Sequence, residues 1–501
     1  MAREVELKFE VPTGMLRVLS GRLGRLTREP VKRDKLVSVY FDTAKRTLRD
    51  NGLSLRVRRV DGHYTQTIKD SGIQRQEWEE DVTGAEPDRG MARHTTLAPF
   101  ATKKKWRKLQ AVFETVVDRA SFPVRCGDSL IEVAVDHGKL KAGHDSRTIS
   151  EIELELKKGK IADLARLAGR IAVSKRVSFG LRSKAERGYA LADEEINDHV
   201  GAFPIALDTD SCAADGFRVI GFSCLHHLAA NRQAVLNDDP EGVHQMRVGL
   251  RRLRAALSLF KPMLEGGGFE KVKKDLKWMS GELAAARDFD VFVAKTIKPM
   301  EQDAPSGLKA LKSDLDKRRH QGFIRAKRMV KGERYRRIVL NTGLWLTGGD
   351  WAVSSDDMRR NLRERGLQDT ANTILSERTK KVLKKLKKLE KLDAMGRHKL
   401  RIAVKKLRYA VSFFTSLSRQ DKAQRRFAGR LKKLQDALGR LNDVQVHRTF
   451  ARDLIKGKSQ LPRGAYALGV VTGVERGAVE PCLAEAAKAG AKLRRLPVFW
   501  N

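Results

Sequence analysis

One basic helix is written twice in the C-terminal half of the chain, 154 residues apart. It reads His-Gln-Met-Arg-Val-Gly-Leu-Arg-Arg-Leu-Arg from His244 to Arg254 and His-Lys-Leu-Arg-Ile-Ala-Val-Lys-Lys-Leu-Arg from His398 to Arg408. At about 100° per residue, His244, Arg247, Arg251 and Arg254 share one strip of a helix, as do His398, Arg401, Lys405 and Arg408. Met246, Leu250, Leu253 and Leu257 form an apolar stripe, matched by Leu400, Val404, Leu407 and Val411. The two stripes lie roughly 110° apart, so the cations stand beside the buried face, where a groove between packed helices would open. Leu276, Met279, Leu283 and Asp288 recur as Leu431, Leu434, Leu438 and Asp443, which extends the repeat and points to two tandem helical bundles. Asp288 and Asp443 suit helix capping or the orientation of nearby arginines better than metal binding.

Charge is unevenly placed along the 501 residues. Residues 1–200 carry 39 Lys and Arg against 30 Asp and Glu, and the remainder carries 62 against 32. The helical half is therefore the electrostatic attractor, and its expected ligand is a polyanion. Its cation strips have few interleaved aromatics to stack bases and no helix-turn-helix or RNA-binding signature, so inorganic polyphosphate fits better than a specific nucleic acid. The expected polyphosphate contacts are His244, Arg247, Arg251, Arg252, Arg254, His398, Arg401, Lys405, Lys406 and Arg408. The lysine run from Lys380 to Lys391 reads as a solvated helix face. Four scattered cysteines form no CxxC pair, and the charged N-terminus lacks an apolar leader; both fit a cytoplasmic protein without zinc and without a membrane span.

The first ~157 residues alternate with period two. Strands are expected over 3–11, 35–42, 53–60, 63–69, 75–82, 111–119, 130–137 and 147–157, with a helical stretch near 13–26. Their polar faces are almost wholly ionisable: Glu4, Glu6, Lys8 and Glu10; Arg56 and Arg58; Lys69; Arg75, Glu77 and Glu79; Arg119; Glu132 and Asp136; Glu151, Glu153 and Glu155. A sandwich with wet outer faces accounts for the alternation, and so does a barrel with a charged lumen. Like charges at i and i+2 repel unless something neutralises them, and carboxylates cluster on the first and last strands with cations between them, which favours the lumen. Eight antiparallel strands suffice to close a barrel around a ligand. Carboxylates are hard ligands for Mg²⁺ or Mn²⁺ and Lys and Arg neutralise phosphate oxygens, so a metal-bound polyphosphate is the ligand such a lumen suits. No P-loop or dinucleotide fingerprint competes.

Several motifs in order carry a family resemblance: Glu4-x-Glu6-x-Lys8, Tyr40-Phe41-Asp42-Thr43, Leu53 to Arg58, Glu151-Ile-Glu153-Leu-Glu155 and Ser183-Lys184-Ala-Glu-Arg187-Gly188-Tyr189. Together they resemble the CYTH superfamily of triphosphate tunnel metalloenzymes across residues 1–190. The repeated helices resemble the CHAD domain. The tandem arrangement is similar to bacterial inorganic triphosphatases, which cleave tripolyphosphate to pyrophosphate and phosphate.

Residues 192–210, acidic and then rich in Gly, Pro and Asp, read as a linker, and the resemblance implies an α+β chain: an eight-stranded antiparallel β-barrel tunnel domain over 1–200 and an all-α domain of two tandem bundles over 211–495. It implies that Glu4, Glu6, Asp136, Glu151 and Glu153 hold Mg²⁺ or Mn²⁺ and that Lys8, Arg56, Arg58, Lys69, Arg119 and Lys184 grip the triphosphate, with Glu4, Glu6, Lys8 and Glu153 central to catalysis. Two other functions stay open: a class IV-type adenylyl cyclase using the same tunnel for ATP, and a non-catalytic protein of polyphosphate granules.

Overall fold

Strict alternation sorts the N-terminal strands onto a sheet with two unlike faces. The computed structural model describes residues 5–27, 29–70, 77–172, 177–195, 199–302, 305–418, 420–456 and 462–500. Its strands are β1 (Glu6–Glu10), β2 (Lys32–Thr43), β3 (Leu53–Val60), β4 (His63–Asp70), β5 (Glu77–Val82), β6 (Leu109–Cys126), β7 (Ser129–Ala142), β8 (Asp145–Lys158) and β9 (Ser178–Phe179). They run antiparallel in the order β5-β4-β3-β2-β6-β7-β8-β1-β9.

This corrects the expected closed barrel of eight strands. Among the described residues there are nine, and no ladder joins β5 to the opposite edge, so the sheet is open there. Closure would require the outer edge of β1. There, Phe9 and Glu10 pair instead with Phe179 and Ser178 of the short β9.

Cross-strand partners point to the same face. The register sets Lys8 against Glu153, Arg119 against Asp136, Asp136 against Glu151, Arg56 against Tyr40 and Lys69 against Glu77. One face therefore collects the ionisable residues. The other carries Leu7, Phe9, Val133, Ile152 and Leu154, covered by α1 (Thr13–Gly24) and α2 (Ile161–Ile171). Each such side chain, taken fully from water, contributes about 1.5–3 kcal/mol.

Helix α3 (Lys184–Ala192) lies on the ionisable face. It starts with a capping box, in which Ser183 Oγ accepts from the Glu186 amide and Glu186 accepts from the Ser183 amide. Its Tyr189 and Leu191 pack with Tyr40, Phe113, Val117, Leu140 and Ile149. Phe113 stacks on Tyr40 at 4.4 Å between centroids and meets Tyr189 edge-on at 5.2 Å. Gly188 is required for this seat, because a Cβ there would fall 2.1 Å from Phe113 Cε2.

The helical half runs α4 (Ala213–Ala230), α5 (Pro240–Leu259), α6 (Gly267–Glu282), α7 (Ala284–Phe292), α8 (Leu308–Lys331), α9 (Glu333–Gly348), α10 (Leu367–Leu386), α11 (Ala394–Phe413), α12 (Asp421–Lys456), α13 (Pro462–Gly477) and α14 (Val479–Arg494). Its repeat becomes an approximate two-fold axis. Cys212 bridges Gly366, its own counterpart 154 residues on, flanked by Leu367 N donating to Ser211 O at 2.9 Å and Ala213 N donating to Arg365 O at 2.8 Å. Phe260 likewise faces its counterpart Phe414 at 6.2 Å. Helices α5 and α11 both start from an aspartate N-cap, Asp239 accepting from the Glu241 amide and Asp393 from the Gly396 amide.

The halves of the chain share one apolar core. Phe179 stacks on Phe222 at 5.9 Å and fits against Gly343, while Arg182 donates to the Ala230 carbonyl at 2.9 Å and His226 Nε2 lies 3.5 Å from Glu186 Oε1. Arg336 also donates to the Val177 carbonyl. No helix among the described residues is long and apolar enough to cross a membrane.

Candidate active-site trough and basic groove

The ionisable face of the sheet, with α3 lying on it, forms a trough. Glu4 and Arg75 lie outside the described residues. The other residues expected there fall into two clusters on that face.

The first cluster is a knot of ion pairs. Arg119 donates from Nε and an Nη to the two oxygens of Asp136, each at 2.7 Å, and from the same Nη to Glu153 at 2.5 Å. Lys184 Nζ is held by three carboxylates at once: Asp136 at 2.7 Å, Glu151 at 2.5 Å and Glu153 at 2.9 Å. Lys8 Nζ stands 2.8 Å from Glu153, 3.8 Å from Glu6 and 3.9 Å from Glu151. Arg187, one turn on from Lys184, pairs with Glu151. Asp136 and Glu151 are wholly buried.

Four carboxylates thus balance four cations, and the protonation states follow. Burial would discharge Lys8, but Glu153, Glu6 and Glu151 outweigh it and hold its ammonium above the ordinary lysine value. Lys184 and Arg119 are raised likewise, against burial, by Asp136 and Glu153. Burial would raise the Glu153 carboxyl, but Lys184, Lys8 and Arg119 hold it well below the usual carboxylate range. Asp136 is also lowered: Lys184 and Arg119 overcome burial and the repulsion of Glu153.

The second cluster sits on β3, β4 and β5. Arg56 lies 3.6 Å from Glu77 and 3.5 Å from Glu79, and Lys69 lies 2.6 Å from Glu77. Arg58 donates to Ser38 Oγ at 3.2 Å. Burial and the charge of Arg56 bring the Arg58 guanidinium down to about 10, with Arg119 of the first cluster adding to the repulsion. Arg56 Nε is buried with no hydrogen-bond partner among the described residues.

The carboxylates fit a hard divalent cation. One oxygen each of Asp136, Glu151 and Glu153 lie within 4.8 Å of one another, with Glu6 beside them. An ammonium held by three carboxylate oxygens marks a position suited to a cation, and an all-oxygen donor set suits Mg²⁺ or Mn²⁺ better than softer metals. Glu155 pairs with Lys157, and Glu77 and Glu79 with the second cluster; none of the three is among the carboxylates that lie within 4.8 Å of one another.

In the helical half the repeated strips of α5 and α11 meet across the two-fold. Arg251 lies within electrostatic reach of both Arg401 and Lys405. Burial, then Arg401 and Arg251, bring the Lys405 ammonium down to about 7. Burial also lowers Arg247 and Arg401, and His244 is lowered by burial and Arg287. Arg247 donates to the Leu283 carbonyl at 2.8 Å and to Asp288 at 3.0 Å. The Nε atoms of Arg251 and Arg401 are buried without a hydrogen-bond partner among the described residues.

Other strip residues stand elsewhere. His398 is exposed, with Nδ1 2.7 Å from Asn442 Oδ1, and Arg408 is half-buried. Arg252 is buried over the Phe413 ring and near His227. Arg254 is exposed, reaching Ser280 Oγ at 3.1 Å, and Lys406 turns to Ser258 Oγ at 2.7 Å. Sequence reasoning named Arg187 only within the family motif, with no role in the trough, and did not single out Arg287 beside His244. Arg187 was within reach of it, three residues after Lys184 on the same helical face. Arg287 depends on how α7 packs against α5, which helical periodicity does not encode.

Residues 2–189 match the family model described as CYTH domain, and residues 220–452 match that described as CHAD domain. An inorganic triphosphatase of Haemophilus influenzae is 31% identical over 202 residues, which are 39% of this chain and 57% of that protein. The chain thus spans a little over half the length of that curated relative. The crystal structure of the CHAD domain from the plant Ricinus communis is 31% identical, with a TM-score of 0.52 over 60% of this chain and 98% of that one.

Proposed function

We propose that this chain, which joins a CYTH domain to a CHAD domain, is a metal-dependent inorganic triphosphatase whose helical half binds inorganic polyphosphate. The observation that carries the reading is the balanced knot of Glu6, Asp136, Glu151 and Glu153 with Lys8, Arg119, Lys184 and Arg187, on the same sheet face as Arg56 and Arg58. The name of the Haemophilus influenzae relative supports the same chemistry.

A balanced knot is poised for exchange of partners. Asp136, Glu151 and Glu153, with Glu6 and Glu4, would hold Mg²⁺ or Mn²⁺, which when bound neutralises phosphate charge and polarises the phosphoryl group. Lys8, Lys184 and Arg119 then turn from carboxylates to phosphate oxygens, while Arg56, Arg58 and Lys69 take the other end of the triphosphate. A water oxygen bonds to the terminal phosphorus as the bridging P–O bond breaks, giving phosphate and pyrophosphate. Glu153, held by three cations in the free protein and by the metal when that is bound, is a poor base, so the proton of the attacking water passes to a phosphate oxygen as the new P–O bond forms.

The helical half gathers Arg251, Arg401 and Lys405 within electrostatic reach of one another, beside Arg247, and the Nε atoms of Arg251 and Arg401 lack partners among the described residues, a surplus of donors suited to a chain of phosphates. This reading places the protein in the cytoplasm or at polyphosphate granules.

The test is release of phosphate and pyrophosphate from tripolyphosphate with Mg²⁺ or Mn²⁺ and then with chelator, with ATP assayed in parallel for cyclic AMP. Metal-dependent cleavage without cyclic AMP is expected, and it should be lost in the Glu4→Ala/Glu6→Ala double variant. Full metal-dependent activity in that variant would overturn the assignment of the trough.

A further inference from the structure

The approximate two-fold of the helical half gives each wall of one repeat a counterpart in the other, and one such pair has diverged. In the first repeat the wall between α4 and α5 is sealed. His227 and Asn231 are wholly buried, and Arg252 is 4% exposed. His227 Nε2 lies 3.0 Å from Gln245 Oε1, and Arg252 reaches toward His227 Nδ1 at 3.4 Å. The segment joining the two domains lies over them: Val200 exchanges two hydrogen bonds with the Asn231 side chain, each 2.9 Å, and Phe203 stacks on His226. Gly249 permits the close approach of the helices, since a Cβ there would stand 2.6 Å from Leu228 N.

In the second repeat, 154 residues on, every one of these positions has changed. Lys381 stands for His227, Lys385 for Asn231, Lys399 for Gln245, Lys406 for Arg252, Arg378 for Cys224 and Ala403 for Gly249. The added methyl of Ala403 stands where α4 and α5 make their backbone contact. Here α10 and α11 leave a cavity of about 240 Å³, lined by Arg378, Lys381, Lys385, Lys399, Ile402, Ala403 and Lys406. Its lining holds five cations and no carboxylate. Arg378 donates to the Ser258 carbonyl at 3.0 Å and Lys406 to Ser258 Oγ at 2.7 Å, which fixes both heads at the floor. The Nε of Arg378 is buried with no partner among the described residues.

Cations gathered without acids repel one another, and a buried donor without an acceptor costs about 1–3 kcal/mol. An anion in the cavity removes both penalties. It would lie on the side of α11 that carries Lys399, Ile402 and Lys406, away from the groove of Arg401 and Lys405.

We infer that the cavity between α10 and α11 is a second oxyanion site, separate from the central groove, that takes a compact phosphoanhydride group of pyrophosphate size. Such a group comes either as free pyrophosphate or as the end of a longer polyphosphate. The inference does not depend on hydrolysis in the trough.

The test is calorimetric binding of pyrophosphate, and separately of long-chain polyphosphate, to the full chain in chelator. Three variants are compared: Lys381→Glu/Lys399→Glu in the cavity, Arg251→Glu/Arg401→Glu in the groove and Lys8→Ala/Arg56→Ala in the trough. Lys381 and Lys399 are exposed, so their reversal leaves the core untouched, and Lys381→Gln/Lys399→Gln gives a milder check that the fold is retained. The expected result is a pyrophosphate-binding event that survives the groove and trough variants and weakens at least tenfold in the cavity variant. Weakening confined to the long chain would assign the group to a polymer end and sustain the site. Unchanged binding of both probes in the cavity variant, or loss of every event in the groove variant alone, would overturn it.

Discussion

Lys405 should couple polyphosphate binding to proton uptake. In the free protein its ammonium titrates at about 7, because burial and the charges of Arg401 and Arg251 oppose a further cation and Asp443 compensates only in part. A polyphosphate in the groove neutralises those arginines and returns the lysine toward its ordinary value of about 10.4. The sign follows from linkage: the bound state holds more protons than the free state between the two values, so affinity falls as pH rises through that interval. At pH 8 about one free molecule in eleven carries the charge, so binding takes up about 0.9 proton. Between pH 7 and 9 affinity should fall about fiftyfold, or about 2.3 kcal/mol.

His244 does not blur this window, since burial and Arg287 push it below the ordinary histidine value. The assay is calorimetry with long-chain polyphosphate at fixed ionic strength in buffers of different ionisation heat, which reports protons directly. Lys405→Arg should abolish the uptake and flatten the profile. A flat profile in the unaltered chain, or an undiminished slope in Lys405→Arg, would refute the argument.

Further expectations concern the trough. Asp136→Ala leaves Arg119 and Lys184 without their buried acceptor and should cost about 3–5 kcal/mol in urea denaturation, with Asp136→Asn costing less. Glu153, held below its unfolded value, contributes stability that is fully present above about pH 4.5 and drains as pH falls further through the folded value; melting temperatures followed downward from pH 5 should show the loss, and Glu153→Gln should remove that component. Gly188→Ala drives a methyl into Phe113 and should cost about 1–3 kcal/mol while lowering the proposed tripolyphosphate cleavage more than tenfold, because α3 must lift and carry Lys184 and Arg187 with it.

Much of the sheet was legible because ionisable and apolar residues alternate cleanly on it; each expected strand has a counterpart in β1 to β8. Ser178 and Phe179 are too few to show a period, and it is these two that occupy the outer edge of β1 and leave the sheet open. Edge pairing is a property of two distant segments and has no local signature. The cation strips were legible as helical faces, but periodicity could not tell that Arg252 turns inward onto Phe413 while Lys406 turns to Ser258. Those directions are set by neighbouring helices, and the run from Lys380 to Lys391, which reads as a solvated face, lends two lysines to a cavity for the same reason.

The helix that brings Lys184 and Arg187 to the carboxylates is also fastened to the other domain, through Arg182 on the Ala230 carbonyl and Glu186 beside His226. The working edge of the trough is therefore a shared wall. A strain applied to α4, by a mutation or by a heavy anion load on the helical half, reaches the buried carboxylates of the trough through a single turn of helix. Selection acting on either domain is then bound to respect the other, and a shuffling event that exchanged the helical half for an unrelated partner would have to rebuild that wall as well.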